Sequence, residues 1–140
     1  MVVTRQQIKK LFIEYNGLYF NAELPLCEIR VSSHHRYYGL FQYRRNSQNK
    51  AVCKSITISD LFDYTEENLR SVLVHEMIHY YLMWNGEDVN GTHGEAFLGM
   101  AEMFNKKFKL NITPTIDMTD YVLSPGKTLF MYKLRMMMPF

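Results

Sequence analysis

A chain of 140 residues is sized for one domain, and 47% apolar with 21% charged residues supplies a core while arguing against disorder. Sixteen Lys and Arg against fourteen Asp and Glu give +2, which excludes a protein that coats nucleic acid by bulk charge alone. Two cysteines, Cys27 and Cys53, exclude both a multi-disulfide scaffold and a cysteine zinc ribbon.

The apolar residues Ile8, Leu11, Phe12 and Tyr15 recur three and four apart, with Lys9, Lys10 and Glu14 between them. That spacing predicts an amphipathic helix from Thr4 to about Tyr15. After Leu24-Pro25, segments rich in β-branched and aromatic residues run from Cys27 to Ser32, Tyr37 to Tyr43 and Ala51 to Ser59. They predict a small, mostly antiparallel sheet, with the polar run Arg44 to Lys50 as a hairpin loop.

Thr65 reads as an N-cap, with Glu66 and Glu67 in the first turn where the helix dipole favours negative charge. The helix it opens should reach Trp84 and stop at Asn85-Gly86. It is apolar on nearly every side, as a helix central to the core would be. Thr92-His93-Gly94-Glu95 fits a capping box, with Glu95 at the third helical position, opening a helix to about Phe108. Beyond Thr113-Pro114 the pattern weakens, with a strand expected over Thr128 to Leu134 after the turn Ser124-Pro125-Gly126. These elements predict an α+β fold in residues 1–112 and a C-terminal extension over 113–140. No apolar run approaches about 18 residues and the first residues lack a leader pattern, so a soluble, cytoplasmic protein without membrane contact is expected.

Chemistry concentrates in the central helix, where His75-Glu76-Met77-Ile78-His79 matches H-E-x-x-H. A shuffled chain of this composition contains about 0.01 such matches, so accident is a weak explanation. At about 100° per residue the two imidazoles stand one turn apart on one face, within reach of a single metal ion. Glu76 points past them, which lets its carboxylate reach an attacking water instead of competing for the metal. Two imidazoles and a carboxylate on an apolar helix are costly to bury without a partner, and a metal ion satisfies all three.

A catalytic zinc site usually takes three protein ligands and keeps one position open. His93 lies fourteen residues beyond His79, between Gly91 and Gly94, and is the preferred third ligand. Glu95 and Glu102 are the rival donors. Glu95 is otherwise explained as the partner of the Thr92 cap, and Glu102 as a solvated helix residue. Tyr80, Tyr81, Tyr121, His34 and His35 stand as candidate oxyanion donors, with nothing in the sequence to select one.

The run Leu73 to Leu82, followed by Gly91-Thr92-His93-Gly94-Glu95-Ala96-Phe97, resembles the SprT-like metallopeptidase family, which joins H-E-x-x-H to a downstream H-G-x-x-F. Phe20-Asn21-Ala22-Glu23-Leu24-Pro25 is similar to the family's approach to its first strand, and Gly39 and Ile56-Thr57-Ile58-Ser59 to its later strands. The likeness spans roughly Thr4 to Leu110. It implies a zincin-like α+β fold, zinc on His75, His79 and His93, and Glu76 as catalytic base in a peptidase acting on proteins. Better-known members, including Spartan, cut proteins crosslinked to DNA. Many relatives continue into a cysteine zinc ribbon, whereas the tail Leu129 to Met138 has no cysteine, so a DNA contact made by that ribbon is not expected.

Charge is unevenly spread. Between Ile29 and Ser59 stand Arg30, Arg36, Arg44, Arg45, Lys50 and Lys54 without any acidic residue, interleaved with Tyr37, Tyr38, Phe41 and Tyr43. That composition suits stacking of single-stranded bases beside held phosphates. Asp60 to Glu102 is predominantly acidic. An ordinary solvated hairpin with inward-packed aromatics explains the same charges. The leading reading is a zinc endopeptidase whose substrates include DNA-associated proteins. Its rivals are a zincin peptidase indifferent to DNA, and a non-catalytic, zinc-stabilised module that binds nucleic acid or a partner through the basic sheet.

Overall fold

The computed structural model of the chain describes residues 2–34, 36–87 and 93–114, together with the backbone of 122–123. Helix α1 spans Arg5–Tyr19 and opens on a reciprocal cap. The Thr4 hydroxyl accepts the Gln7 N–H at 3.2 Å, and the Gln7 side chain accepts the Thr4 N–H at 3.1 Å. The helix runs a turn beyond the expected end because Tyr19 finds partners there, packing against Phe104 and Phe108. Ile8, Phe12, Tyr15 and Asn16 form its buried stripe.

The main sheet holds β1 (Ile29–Ser32), β2 (Gly39–Arg45) and β3 (Ala51–Ser59) in the order β1-β3-β2. β2 and β3 form the expected antiparallel hairpin, its loop closed by the Asn46 side chain, which accepts the N–H groups of Gln48 and Lys50. β1 runs parallel to β3, so the sheet is mixed and not mostly antiparallel. β2 thus lies beyond the place β3 takes beside β1, and the hairpin returns β3 between its two predecessors. Register sets Ile29, Ile56 and Phe41 side by side.

Helix α2, Glu66–Trp84, lies against this sheet. The Thr65 hydroxyl accepts the Asn68 N–H at 3.1 Å, and the helix stops where Gly86 turns left-handed at φ +74°. Phe12 from α1 and Phe41 from β2 both stack on Tyr80, at 6.4 and 5.5 Å, so α1 and the sheet meet on this helix.

Helix α3, Glu95–Phe108, begins later than the capping-box reading places it. Gly94 is the N-cap, no side chain caps the helix, and Glu95 is its first residue rather than its third; Thr92 lies outside the described residues. The late start leaves His93 outside the helix, free to turn toward α2. Phe104 packs on Phe20 at 5.3 Å and ties α3 to the end of α1. A second, antiparallel pair joins β4 (Phe62–Asp63) to β5 (Val122–Leu123), neither of which the sequence announces. The strand expected over Thr128 to Leu134 lies outside the described residues. Cys27 and Cys53 form a disulfide between the approach to β1 and β3 itself, with Cα atoms 5.9 Å apart. Three helices and a small mixed sheet among the described residues make an α+β single domain. No described helix is long and apolar enough to cross a membrane.

Candidate metal centre

α2 carries His75 and His79 one turn apart, and the short extended stretch before α3 brings His93 against them. Ring centroids stand 5.1 Å apart for His75 and His79, and 5.0 Å for each of them to His93. One nitrogen from each ring lies within 4.8 Å of the others, and His75 Nε2 is 3.1 Å from His93 Nε2. Three imidazole nitrogens on a tetrahedral zinc at about 2.0–2.1 Å stand about 3.4 Å apart, so the trio fits such an ion with small adjustments. Phe97, fully buried on the first turn of α3, packs against all three rings at 4.7, 4.7 and 4.9 Å. It forms an apolar floor that limits how far the rings can turn.

His75, Glu76 and His79 are 6–8% exposed, whereas His93 is exposed. Burial, then the nearby rings of His79 and His93, bring the His75 imidazole down to about 3, while the Thr113 carbonyl at its Nδ1 works the other way. His75 is therefore uncharged at neutral pH, with a lone pair to give. The Thr113 oxygen, 2.9 Å from Nδ1, can only accept, so the proton sits on Nδ1 and Nε2 faces the other two rings.

Glu76 lies beside the trio, with its Oε2 4.0 Å from His75 Nε2. Burial pushes its carboxyl up to about 8, and a hydrogen bond from the Phe41 main-chain N–H partly offsets this by favouring the anion. β2 pairs with β3 so that Tyr38 C=O receives the Ser59 N–H; three positions further, alternation brings Phe41 to a non-bonded position, its N–H turned away from β3. Gly39 completes this cradle. A Cβ there would stand 3.0 Å from Glu76 Cγ, 3.0 Å from Val72 Cγ1 and 3.1 Å from Glu76 Oε2, so only glycine lets the strand and the carboxylate approach this closely.

Glu95 and Glu102 do not join the cluster. Glu95 is exposed, and Glu102 pairs with Lys106 at 3.0 Å on the solvent side of α3. Tyr80 donates its hydroxyl to the Pro25 carbonyl at 2.9 Å, Tyr81 packs on Phe20, and His34 stacks on Tyr37. Tyr121 and His35 lie outside the described residues. In the basic region Arg36, Arg44 and Lys54 are exposed, Arg30 pairs with Glu28 at 3.2 Å, Arg45 donates to the Asn49 carbonyl, and Lys50 sits 4.7 Å over the Trp84 ring. Of the interleaved aromatics, Tyr38 is buried against Phe62 and Phe41 is stacked on Tyr80, while Tyr37 is half-buried against His34 and Tyr43 is exposed.

Sequence reasoning gave Gly39, Phe41 and Thr113 no part in the site. A glycine inside a strand pattern was the available signal for Gly39. Phe41 and Thr113 act through main-chain atoms that every non-proline residue carries, so their side chains give no sign. The SprT-like family model matches residues 8–116 of the chain. No curated protein sequence matches it.

Proposed function

Because the chain belongs to the SprT-like family, we propose that it is a zinc-dependent endopeptidase of zincin type, carried by residues 1–112 and acting on proteins, those bound or crosslinked to DNA among them. The observation that carries this reading is the convergence of His75, His79 and His93, with a buried carboxylate beside them. All three would serve as neutral ligands through one ring nitrogen each. Zinc, when bound, supplies a Lewis acid that polarises a carbonyl and lowers the pKa of water from 15.7 to about 7. A divalent cation also favours ionised Glu76, opposing the burial that raises it. Glu76 then takes the proton of the attacking water on its carboxylate and returns it to the leaving amine. The Phe41 N–H holds the carboxylate during that exchange, and the bare Cα of Gly39 keeps the space it needs.

The DNA-associated part has a narrower footing than the six basic residues between Ile29 and Ser59. It rests on exposed Arg36, Arg44 and Lys54 with Tyr37 and Tyr43 nearby in sequence.

The test is turnover of an unfolded, fluorescently labelled protein, measured with zinc content by elemental analysis. Glu76→Gln should keep one zinc per chain and lose at least about 100-fold in turnover, the scale expected for a general base. Full turnover in that variant, or a wild-type protein without zinc, defeats the peptidase reading. Single-stranded DNA should raise the wild-type rate at low salt, with the effect lost as salt rises. No response to DNA at any salt removes that part alone.

A further inference from the structure

The orientation of His75 depends on a carbonyl that belongs to neither histidine motif. Past α3 the chain turns at Lys109, where φ is +56°, and meets α2 at Thr113. Its course is held by Asn105 on α3. The Asn105 Nδ2 donates to the Ile112 carbonyl at 2.9 Å, and its Oδ1 accepts the Ile112 N–H at 2.8 Å. Both main-chain groups of one residue are thus fixed by one amide side chain, and Ile112 is itself buried. The next residue is Thr113, whose carbonyl meets His75 Nδ1 at 2.9 Å.

We propose that Asn105 is a positioning residue for the metal centre, locking Ile112 so that the Thr113 carbonyl holds the His75 ring with Nε2 toward His79 and His93. The proposal rests on the reading of those three residues as ligands. Metal-bound histidines commonly donate their second ring N–H to such an acceptor, and loss of the acceptor typically costs about 10–100-fold in metal affinity or activity.

The fold contains its own control. Asn16 on α1 closes the same two-bond ring on Leu24, at 2.8 and 3.2 Å, after a left-handed turn at Asn21 and Ala22. The following residue again offers its carbonyl to α2, where Pro25 accepts the Tyr80 hydroxyl. The two devices match in construction, but one ends on an imidazole of the cluster and the other on a tyrosine of the core.

The experiment compares Asn105→Ala with Asn16→Ala in the full chain, reading zinc affinity by competition with a chromophoric chelator and thermal unfolding of the metal-free protein. Both variants should melt earlier than wild type. Only Asn105→Ala should weaken zinc binding, by about 10–100-fold. Asn105→Asp, which keeps the acceptor for the Ile112 N–H and loses the donor, should fall between and serves if the alanine variant does not fold. Nitrogen chemical shifts of the His75 ring in the metal-free protein give a direct signature: a single Nδ1–H tautomer in wild type, mixed tautomers in the Asn105 variants. Zinc bound as tightly by the Asn105 variants as by wild type, or an equal loss in Asn16→Ala, overturns the positioning role and leaves the metal reading standing. A wild-type chain that binds no zinc overturns both.

Discussion

α2 and the stretch leading into α3 each deliver imidazoles to the same place, by opposite means. On α2, His75 and His79 are buried within a helix whose cap, length and packing are set by the whole core. His93 is exposed, stands before a helix that lacks a side-chain cap, and is steadied chiefly by Phe97 and its two fellow rings. Two corners of the centre are therefore made by folding itself. The third is completed by local contacts, and an ion bridging them would tie α3 to α2.

That contrast is broken or confirmed most sharply by removing one proposed ligand from each side. His79→Ala and His93→Ala should both lose stoichiometric zinc, measured by elemental analysis. The metal-free proteins should differ, however. His79→Ala leaves a gap in the core and should cost about 1–3 kcal/mol by denaturant unfolding, whereas His93→Ala should stay within about 0.5 kcal/mol of wild type. Equal losses would mean that His93 is as much a part of the core as His79.

A smaller effect tests the buried side alone. Gly39→Ala puts a methyl group against Glu76 and Val72, so kcat should fall about 10-fold through a displaced base while zinc content holds and KM changes little. Unchanged kcat would show that the carboxylate has room to yield.

The smallest effect is the pH dependence of the metal-free protein. His75 is held near 3 when folded against an ordinary 6.5, so its stability contribution is present above 6.5 and lost as pH falls toward 3. Glu76 is held near 8 against 4.5, so its contribution is present below 4.5 and lost as pH rises toward 8. Between 4.5 and 6.5 the two slopes oppose and cancel. These two groups should give a plateau there in urea-unfolding free energy, with stability lost below it through His75 and above it through Glu76. A steady slope through that window would contradict the burial assigned to one of the two groups.

What was legible in the sequence follows the same division. α2 announced both ends, through Thr65 with its acidic first turn and Asn85-Gly86, because caps and breakers are local chemistry. The β2–β3 hairpin was legible from its polar loop for the same reason. The parallel course of β1 was not, since strand direction depends on which strand becomes its neighbour, and β3, not β2, takes that place. The start of α3 was misplaced because Thr92 and Glu95 satisfy a capping rule by spacing, while His93 has to leave the helix to meet α2. The three histidines were legible as a set, but the main-chain atoms at Phe41 and Thr113 that orient the site were invisible, being common to almost any sequence.

β2 has a consequence for how copies of this molecule behave together. It forms one margin of its sheet among the described residues, the kind of strand that invites another chain to add on and grow into fibres. Its Phe41 N–H is already taken by Glu76 from within the molecule, a register shift follows Gln42, and Arg44 and Arg45 then place like charges along the remainder. The side chain proposed to move protons in catalysis thus also occupies a rung that would otherwise be open to self-association.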